Sequence, residues 1–515
     1  MSHTTNAGVR RAGQSTVASL FRNRARLHPS LRALGTPDGQ GLDYGTLAMR
    51  VNRSASLLAG MGVGRGDRVA ILSENRTEYV ELMLACATLG AMLACQNWRL
   101  APPELKHCID LVDPRVIVVS ERHAALLGRA GARQQQVITL GSAYASLLAG
   151  ASPEPREIAA EPEDGLLILY TSGTTGLPKG AVISHRAEIA RAMVGFADLG
   201  IRPGDTCVAW APLFHMAGAE PALATLMTGG PVVVIDGFRP DEIATLVAST
   251  RIGHLLLMPG MIEPLIEELE RRAIRPAGIT VCGAMADLVP AHQLARITRL
   301  LDAPYMNSFG STETGAPPAS GNHIPVGEVP TKLSKQENRF CEIRLVDPHD
   351  RDVPDGTPGE LLFRGPTLFS GYWNAEETNA RDFRDGWFHM GDMFVRNADG
   401  SMDFVDRVKY MIKSGGENIY PAEIERVLLS EARVADAVVV RRPDPRWGEV
   451  PVAVVAARDD ALRAEDLHAR CRAQLAGFKQ PKDIVFVRFE ELPRSTTGKI
   501  QRHEVEAWLK ARTAT

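Results

Sequence analysis

The sequence predicts an α/β protein, with a large N-terminal domain of layered parallel sheets followed by a small α+β domain. Three observations lead there. Over about the first four hundred residues, short apolar runs alternate with amphipathic helical stretches, the pattern of βαβ units. Near residue 340 the pattern changes to half-exposed alternating strands separated by Asp/Pro/Gly turns. Finally, 515 residues exceed what a single core usually serves.

Taken in order, residues 1–15 read as a polar tail, and no apolar signal region with a cleavage site follows them. The glycines of 60–66 precede a strand at 68–72. They lack the GxGxxG spacing and serve as turn residues after a helix. The apolar stretch 82–95 contains Thr88 and Gly90 and is shorter than the roughly 20 residues a membrane span needs, so it reads as a buried helix running into a strand. Further short strands are expected at 116–119, 166–169, 231–235, 255–258 and 279–282, then half-exposed ones at 342–345 and 359–364. The C-terminal part reads as a helix from Pro421, strands at 437–440 and 450–456, a helix at 464–475 and a strand at 484–488. The expected division is a large domain over 16–406, a hinge at 407–410 and a small domain over 411–515.

Composition narrows the function. Hydrophobic residues make up 45% and charged residues 23%, ordinary for a globular protein, and a net charge of −3 gives no reason to expect nucleic acid or an anionic membrane as partner. Seven scattered cysteines without a CxxC pair suit a reduced, cytoplasmic protein without structural zinc. Only ten of the 58 basic residues are lysines, and four of these, Lys179, Lys409, Lys413 and Lys499, fall in motifs. In a chain that prefers arginine, a motif lysine marks a place where a compact ammonium is needed.

The strongest motif is Tyr170-Thr171-Ser172-Gly173-Thr174-Thr175-Gly176-Leu177-Pro178-Lys179-Gly180, directly after the apolar run 166–169. Its glycines let backbone N–H groups turn inward around an anion, its hydroxyls add donors and Lys179 adds a point charge. Lys179 is followed by Gly180 rather than Ser or Thr, so this is a nucleotide-phosphate loop other than the Walker type. The plainer alternative is a surface turn. Five more segments follow in order: Pro212-Leu213-Phe214-His215-Met216-Ala217-Gly218; Asn307-Ser308-Phe309-Gly310-Ser311-Thr312-Glu313-Thr314; Gly386-Trp387-Phe388-His389-Met390-Gly391-Asp392; the polar stretch from Asp406 to Pro421; and Pro493-Arg494-Ser495-Thr496-Thr497-Gly498-Lys499-Ile500.

On these six ordered segments the chain resembles the adenylate-forming superfamily, that of the acyl-CoA synthetases, non-ribosomal peptide synthetase adenylation domains and firefly luciferase, over residues 16–510. The resemblance implies that a carboxylic acid and ATP give acyl-AMP and pyrophosphate. Catalysis is then mostly charge neutralisation and positioning. It further implies that Thr171, Ser172, Gly173, Thr174, Thr175, Gly176 and Lys179 cradle the phosphates, and that Glu313, with Thr171, holds Mg2+. Thr312 would contact the α-phosphate and Phe309 would stack on adenine, in a nucleotide site shared with Gly283, Ala284, Ser308, Gly310 and Ser311. Asp392 would accept the ribose hydroxyls, Arg407 would add a ribose or phosphate contact, and Lys499 would bridge carboxylate and α-phosphate. His215 borders the acyl pocket in this scheme, as a wall or gate more than a proton carrier.

For the second half-reaction, the resemblance implies rotation of the small domain about a hinge at Lys409. Gly415 and Gly416 would then line a pantetheine tunnel beside Trp447, with Lys479 near the CoA nucleotide. The expected acyl pocket involves Phe214, His215, Met216, Gly218, Met258, Met261 and Met285. These adaptable apolar side chains come with no obvious arginine for a second carboxylate. The region after His215 lacks the aspartate that amino-acid-activating relatives use. The expected substrate is therefore an apolar monocarboxylate: fatty, aryl or alicyclic. ATP, Mg2+ and CoA are the implied cofactors. The alternative activity is adenylation alone, with hand-off to an acyl carrier protein or partner ligase. A homodimer is compatible with the resemblance.

Overall fold

A computed structural model describes residues 12–132, 136–171, 177–258, 260–414, 417–459, 461–494 and 500–513. The chain divides into two compact units: Met1–Glu342 with Arg364–Gly386, and Ile343–Phe363 with Trp387–Thr515.

Among the described residues, the first unit contains three larger sheets and a two-stranded one. The largest has the strand order Val137–Leu140, Val116–Ser120, Arg68–Leu72, Met92–Cys95, Gly165–Thr171, Lys179–Ser184. All neighbours are parallel except the last pair, which forms an antiparallel hairpin. The central strands are buried on both faces, which explains why they read as unbroken apolar runs. The helix Thr77–Leu89 is buried from Tyr79 to its end and delivers the chain through Gly90 (φ 67°) into Met92–Cys95, so the expected helix-to-strand reading of 82–95 holds.

A second sheet runs Gly41–Asp43, Arg32–Gly35, Val232–Val234, Cys207–Ala209. A third runs Ile252–Leu255, Ile279–Cys282, Tyr305–Met306, His323–Ile324. The strand expected at 255–258 lies earlier, because pairing Ile252 with Ile279 and Leu255 with Cys282 sets its register. The apolar residues that follow pack instead against the core formed by Ile243, Leu265, Ile266, Leu294 and Ile297.

In the second unit, Glu342–Val346, Gly359–Arg364, Trp387–Arg396 and Met402–Arg407 form one sheet. The other is an antiparallel ladder of Glu417–Ile419, Ile412–Ser414, Gly448–Ala457 and Val434–Asp444, joined by Asp483–Val487 in parallel to Gly448–Ala457. Helix Pro421–Leu429 buries Ile424 and Leu428 against this ladder, and Cys471 of helix Ala464–Gln474 joins the same core. The buried Asp406 carboxylate ties the two parts together. It accepts from the backbone N–H of Ala422 at 2.8 Å and from that of Arg407 at 2.7 Å, and burial holds its pKa above the ordinary value. The expected hinge segment 407–410 therefore lies within this unit, leading from a strand into the short 3-10 turn Val408–Tyr410.

Six of the seven cysteines are buried and Cys341 is half-buried; all are free thiols. Among the described residues, no helix is long and apolar enough to cross a membrane.

Candidate active site

The expected phosphate loop joins two antiparallel strands paired in continuous register from Leu167 to Thr171, with a shift between Gly165 and Leu167. Thr171 at the end of Gly165–Thr171 pairs with Lys179 at the start of Lys179–Ser184, while Ser172–Gly176 fall outside the described residues. The base of this hairpin is pinned by polar groups. The Tyr170 hydroxyl donates to the carbonyl of Cys108 at 2.8 Å and accepts from Gln96 at 2.9 Å. Nε2 of His107 lies 3.1 Å from the Pro178 carbonyl.

The segment 370–373 runs along the other side of Lys179–Ser184, through bonds between Val182 and both Gly371 and Ser370, and between Trp373 and Gly180. This places Tyr372 against Lys179. The Lys179 ammonium sits 4.7 Å from the Tyr372 ring centroid, a cation–π contact. The Tyr372 hydroxyl donates to Oε1 of Glu313 at 2.6 Å. Asn379 fixes Tyr372 by accepting from its N–H and donating to its carbonyl, both at 2.8 Å. Lys179 and Glu313, 134 residues apart in the numbering (313 − 179), are thus joined through one tyrosine.

Glu313 lies in a turn between two very short strands, Gly310–Ser311 and Gly315–Pro318. A Cβ on Gly310 would stand 2.1 Å from the Gly315 carbonyl oxygen, so no side chain fits there. Phe309, half-buried, is held by reciprocal backbone bonds with Ala319 at 3.0 and 3.1 Å. Beside it run Gly283, Ala284 and Met285. Gly283 has φ 76° and packs so closely on the Tyr305 ring that a Cβ would come within 2.1 Å of it. Tyr305 donates to the Ala284 carbonyl at 2.9 Å, and Ser308 Oγ accepts from the Met285 N–H at 3.0 Å. A second clamp comes from Lys335, 1% exposed, which donates to Asn307 Oδ1 and pairs with Asp287, both at 2.7 Å. The two strips of the expected adenine site are therefore fixed side by side.

His215 has a local structural task. It caps the helix Met216–Thr228, its Nδ1 accepting from the Ala217 N–H at 3.2 Å, and so presents an unprotonated Nδ1. Gly218 packs on the carbonyls of Ala211 and Pro212, 2.5 Å from where a Cβ would be. Phe214 is buried, meeting the Trp98 ring edge-on with centroids 6.1 Å apart and lying 5.8 Å from the Arg99 guanidinium carbon. Of the expected methionines, Met258 and Met261 pack on the core of the third sheet. Met285 packs with Leu199, Val281 and Met306 in a separate cluster. Met216 is half-buried at the first turn of its helix.

Asn75 holds this wall in place. Its Nδ2 lies 2.8–3.3 Å from the carbonyl oxygens of Ala209, Trp210, Ala211 and Ile235, while Oδ1 accepts from the Leu213 N–H at 2.8 Å. Replacing it with alanine leaves several buried backbone groups unpaired. Asn75→Ala is therefore expected to cost ~2–4 kcal/mol, since each orphaned group costs about 1–3 kcal/mol before relaxation. Calorimetry should show this as a lowered thermal transition.

In the second unit, Asp392 and Arg407 are cross-strand partners in the sheet. The Asp392 carboxylate is buried and accepts from Arg407 Nε at 3.0 Å, while Arg407 remains largely exposed. Lys409 lies 4.7 Å from the Tyr410 ring, and its carbonyl accepts from Arg441. Trp447 is 40% exposed beneath Arg446. Lys479 forms a 2.7 Å ion pair with Glu423. Gly415, Gly416 and Lys499 fall outside the described residues.

Tyr372, Asn75 and Lys335 are additions that sequence reasoning misses. For Lys335 a signal existed: it is one of the ten lysines and, among the described residues, the only buried one.

The AMP-binding enzyme profile matches residues 21–373, and the AMP-binding enzyme C-terminal domain profile matches 423–499. A feruloyl-CoA synthase from Amycolatopsis sp is 34% identical over 490 residues, covering 94% of this chain and 96% of the relative. An indoleacetate–CoA ligase from Aromatoleum aromaticum is 33% identical over 503 residues, with 95% and 97% coverage. Among solved structures, o-succinylbenzoate-CoA synthetase from Bacillus subtilis, in complex with its acyl-adenylate intermediate, superposes with a TM-score of 0.83 at 27% identity, covering 96% of this chain and 98% of its own.

Proposed function

From the premise that this chain belongs to the AMP-binding enzyme family, the adenylate-forming enzymes that include the acyl-CoA synthetases, we propose that it is an ATP-dependent CoA ligase for an apolar monocarboxylic acid, and specifically for an aromatic one. The observation that carries the reading is the convergence of Lys179, Tyr372 and Glu313 at the open end of the phosphate-loop hairpin. An aromatic acid is favoured because relatives with one-third identity over nearly the whole chain are named for feruloyl and indoleacetate substrates. The aromatic surroundings of Phe214 are in keeping with this.

In the first half-reaction, a carboxylate oxygen of the acid attacks the α-phosphorus of ATP and pyrophosphate leaves. Lys179 and the loop hold the β- and γ-phosphates, Thr312 the α-phosphate, and Phe309 the adenine between the two clamped strips. Asp392, buried and oriented by Arg407, is the proposed ribose acceptor. In the second half-reaction, the CoA sulfur attacks the acyl carbonyl carbon, its proton departs to solvent and AMP leaves. Lys409 as hinge, Gly415, Gly416 and Trp447 as tunnel, and the division at 407–410 belong to this proposal. Lys479 serves a CoA phosphate by exchanging it for Glu423.

The residues present fit a magnesium ion. Glu313 offers a hard carboxylate with Oε1 engaged by Tyr372, and among the described residues no hydrogen bond occupies Oε2. No cluster of three or more His, Cys, Asp or Glu side chains forms a cage among the described residues. Glu313, with Thr171, would hold the ion, and phosphate oxygens would complete its shell. When bound, the ion neutralises phosphate charge as the α-phosphorus is attacked.

Mass spectrometry of the protein with Mg-ATP and a panel of aromatic and fatty acids, with and without CoA, tests the reading. Acyl-CoA and AMP are expected, with aromatic acids turned over fastest. Acyl-AMP that accumulates despite CoA would overturn the ligase reading in favour of hand-off to a carrier protein or partner enzyme. Faster turnover of fatty acids would overturn the aromatic assignment.

A further inference from the structure

Behind the Thr312–Glu313 turn lies a charged cluster whose side chains belong to none of the motifs. Arg191, on helix His185–Ala197, is buried, with its side chain 4% exposed. Its Nη1 pairs with Glu220 on helix Met216–Thr228. Its Nε donates to the Thr367 carbonyl at 2.9 Å. Its Nη2 donates to the carbonyls of Thr312 at 3.1 Å and Glu313 at 3.0 Å. A Cβ on Gly315 would come within 2.9 Å of the Arg191 side chain, so the turn is packed directly on it. One guanidinium thus spans the helix capped by His215, the segment leading to Tyr372 and the turn carrying Glu313.

Three positions before Arg191, Glu188 is fully buried, and both its carboxyl oxygens lack a hydrogen-bond partner among the described residues. The cluster therefore holds two carboxyl groups and one guanidinium. Burial, reinforced by the Glu220 charge and opposed by Arg191, pushes the Glu188 pKa well up. An ionised Glu188 would be a buried charge without a hydrogen bond, which is costly, whereas Glu220 has its ion pair.

We propose that Arg191 is a positioning residue for adenylation: paired with Glu220, it fixes the Thr312–Glu313 backbone and couples it to the helix that begins behind His215. The inference rests on the reading of Thr312 and Glu313 as nucleotide contacts. It adds that their placement depends on a guanidinium that touches neither ATP nor acid. Arginine suits the task because its planar fork serves three carbonyls and a carboxylate at once, which a lysine cannot.

The test compares Arg191→Lys, Glu220→Gln, Glu188→Gln and Glu313→Gln in acid-dependent ATP–pyrophosphate exchange, with kcat and KM separated and thermal melting followed in parallel. Arg191→Lys keeps the charge and should fold. It is expected to lose about 10- to 100-fold in kcat, the usual cost of disturbing a positioning shell, with KM for the acid changed by less than about 3-fold. Glu220→Gln should fall in the same range. Glu188→Gln, which replaces one neutral group by another, should retain kcat within about twofold. A merely structural role predicts lower melting temperatures with unchanged kcat per folded molecule, and that result overturns the proposal. So does a Glu188→Gln variant as impaired as Glu220→Gln. Full activity of Glu313→Gln would instead bring down the nucleotide reading itself, and the proposal with it. An impaired Glu313→Gln beside an unimpaired Arg191→Lys would bring down the positioning role alone.

Discussion

Lys499→Ala should abolish formation of acyl-AMP while leaving the conversion of supplied acyl-AMP and CoA to thioester largely intact. In the first half-reaction a carboxylate must approach a phosphorus ringed by negative oxygens. The Gly498-Lys499 motif supplies the one cation assigned to both reactants. Removing a preorganised charge from a transition state of this kind costs about 10²–10³-fold. The second half-reaction has no such approach, because the acyl carbonyl is already activated by its AMP leaving group. The two assays run on the same preparation: pyrophosphate release from ATP and acid, and thioester formation from synthetic acyl-AMP. Equal losses in both would show that Lys499 supports the fold or both steps alike, and would end the separation of roles.

Glu313→Gln carries the second large effect. Glutamine keeps the shape of the side chain, and its carbonyl can still accept from Tyr372, so the turn and the Lys179–Tyr372 contact should survive. What disappears is one negative charge at the place assigned to the metal. A fall of about 10²–10³-fold in adenylation kcat is expected, with little change in melting temperature. Tyr372→Phe, which frees the carboxylate but keeps its charge, should cost only about 10-fold. Rapid-quench measurement of acyl-AMP at saturating Mg-ATP checks both. A Glu313→Gln variant with unchanged kcat would remove Glu313 from the reaction.

The fold is legible in the sequence because buried parallel strands announce themselves as uninterrupted apolar runs. Residues 68–72, 116–119 and 166–169 all fall where expected. The strand Ile252–Leu255 is harder to see, since Gly253 and His254 interrupt its apolar face and His254 meets the distant Gly283 carbonyl at 2.8 Å. The site divides in the same way. Thr171, Lys179, Phe309 and Glu313 sit in compact motifs whose chemistry is local. Asn75, Arg191 and Lys335 act on backbone carbonyls or side chains up to 176 residues away and leave no spacing to read. Tyr372 lies outside every motif, and its value lies in touching two of them at once.

The burial of the thiols matters for the redox life of the protein. Burial holds the Cys95 and Cys207 thiols up at about 12, the half-buried Cys341 is likewise raised to about 12, and Cys86, Cys108, Cys282 and Cys471 are also shifted upward. Exchange with a disulfide requires a thiolate and access to it. A buried thiol held in its protonated form offers neither. Six of the seven cysteines thus serve as core packing groups shielded from such exchange.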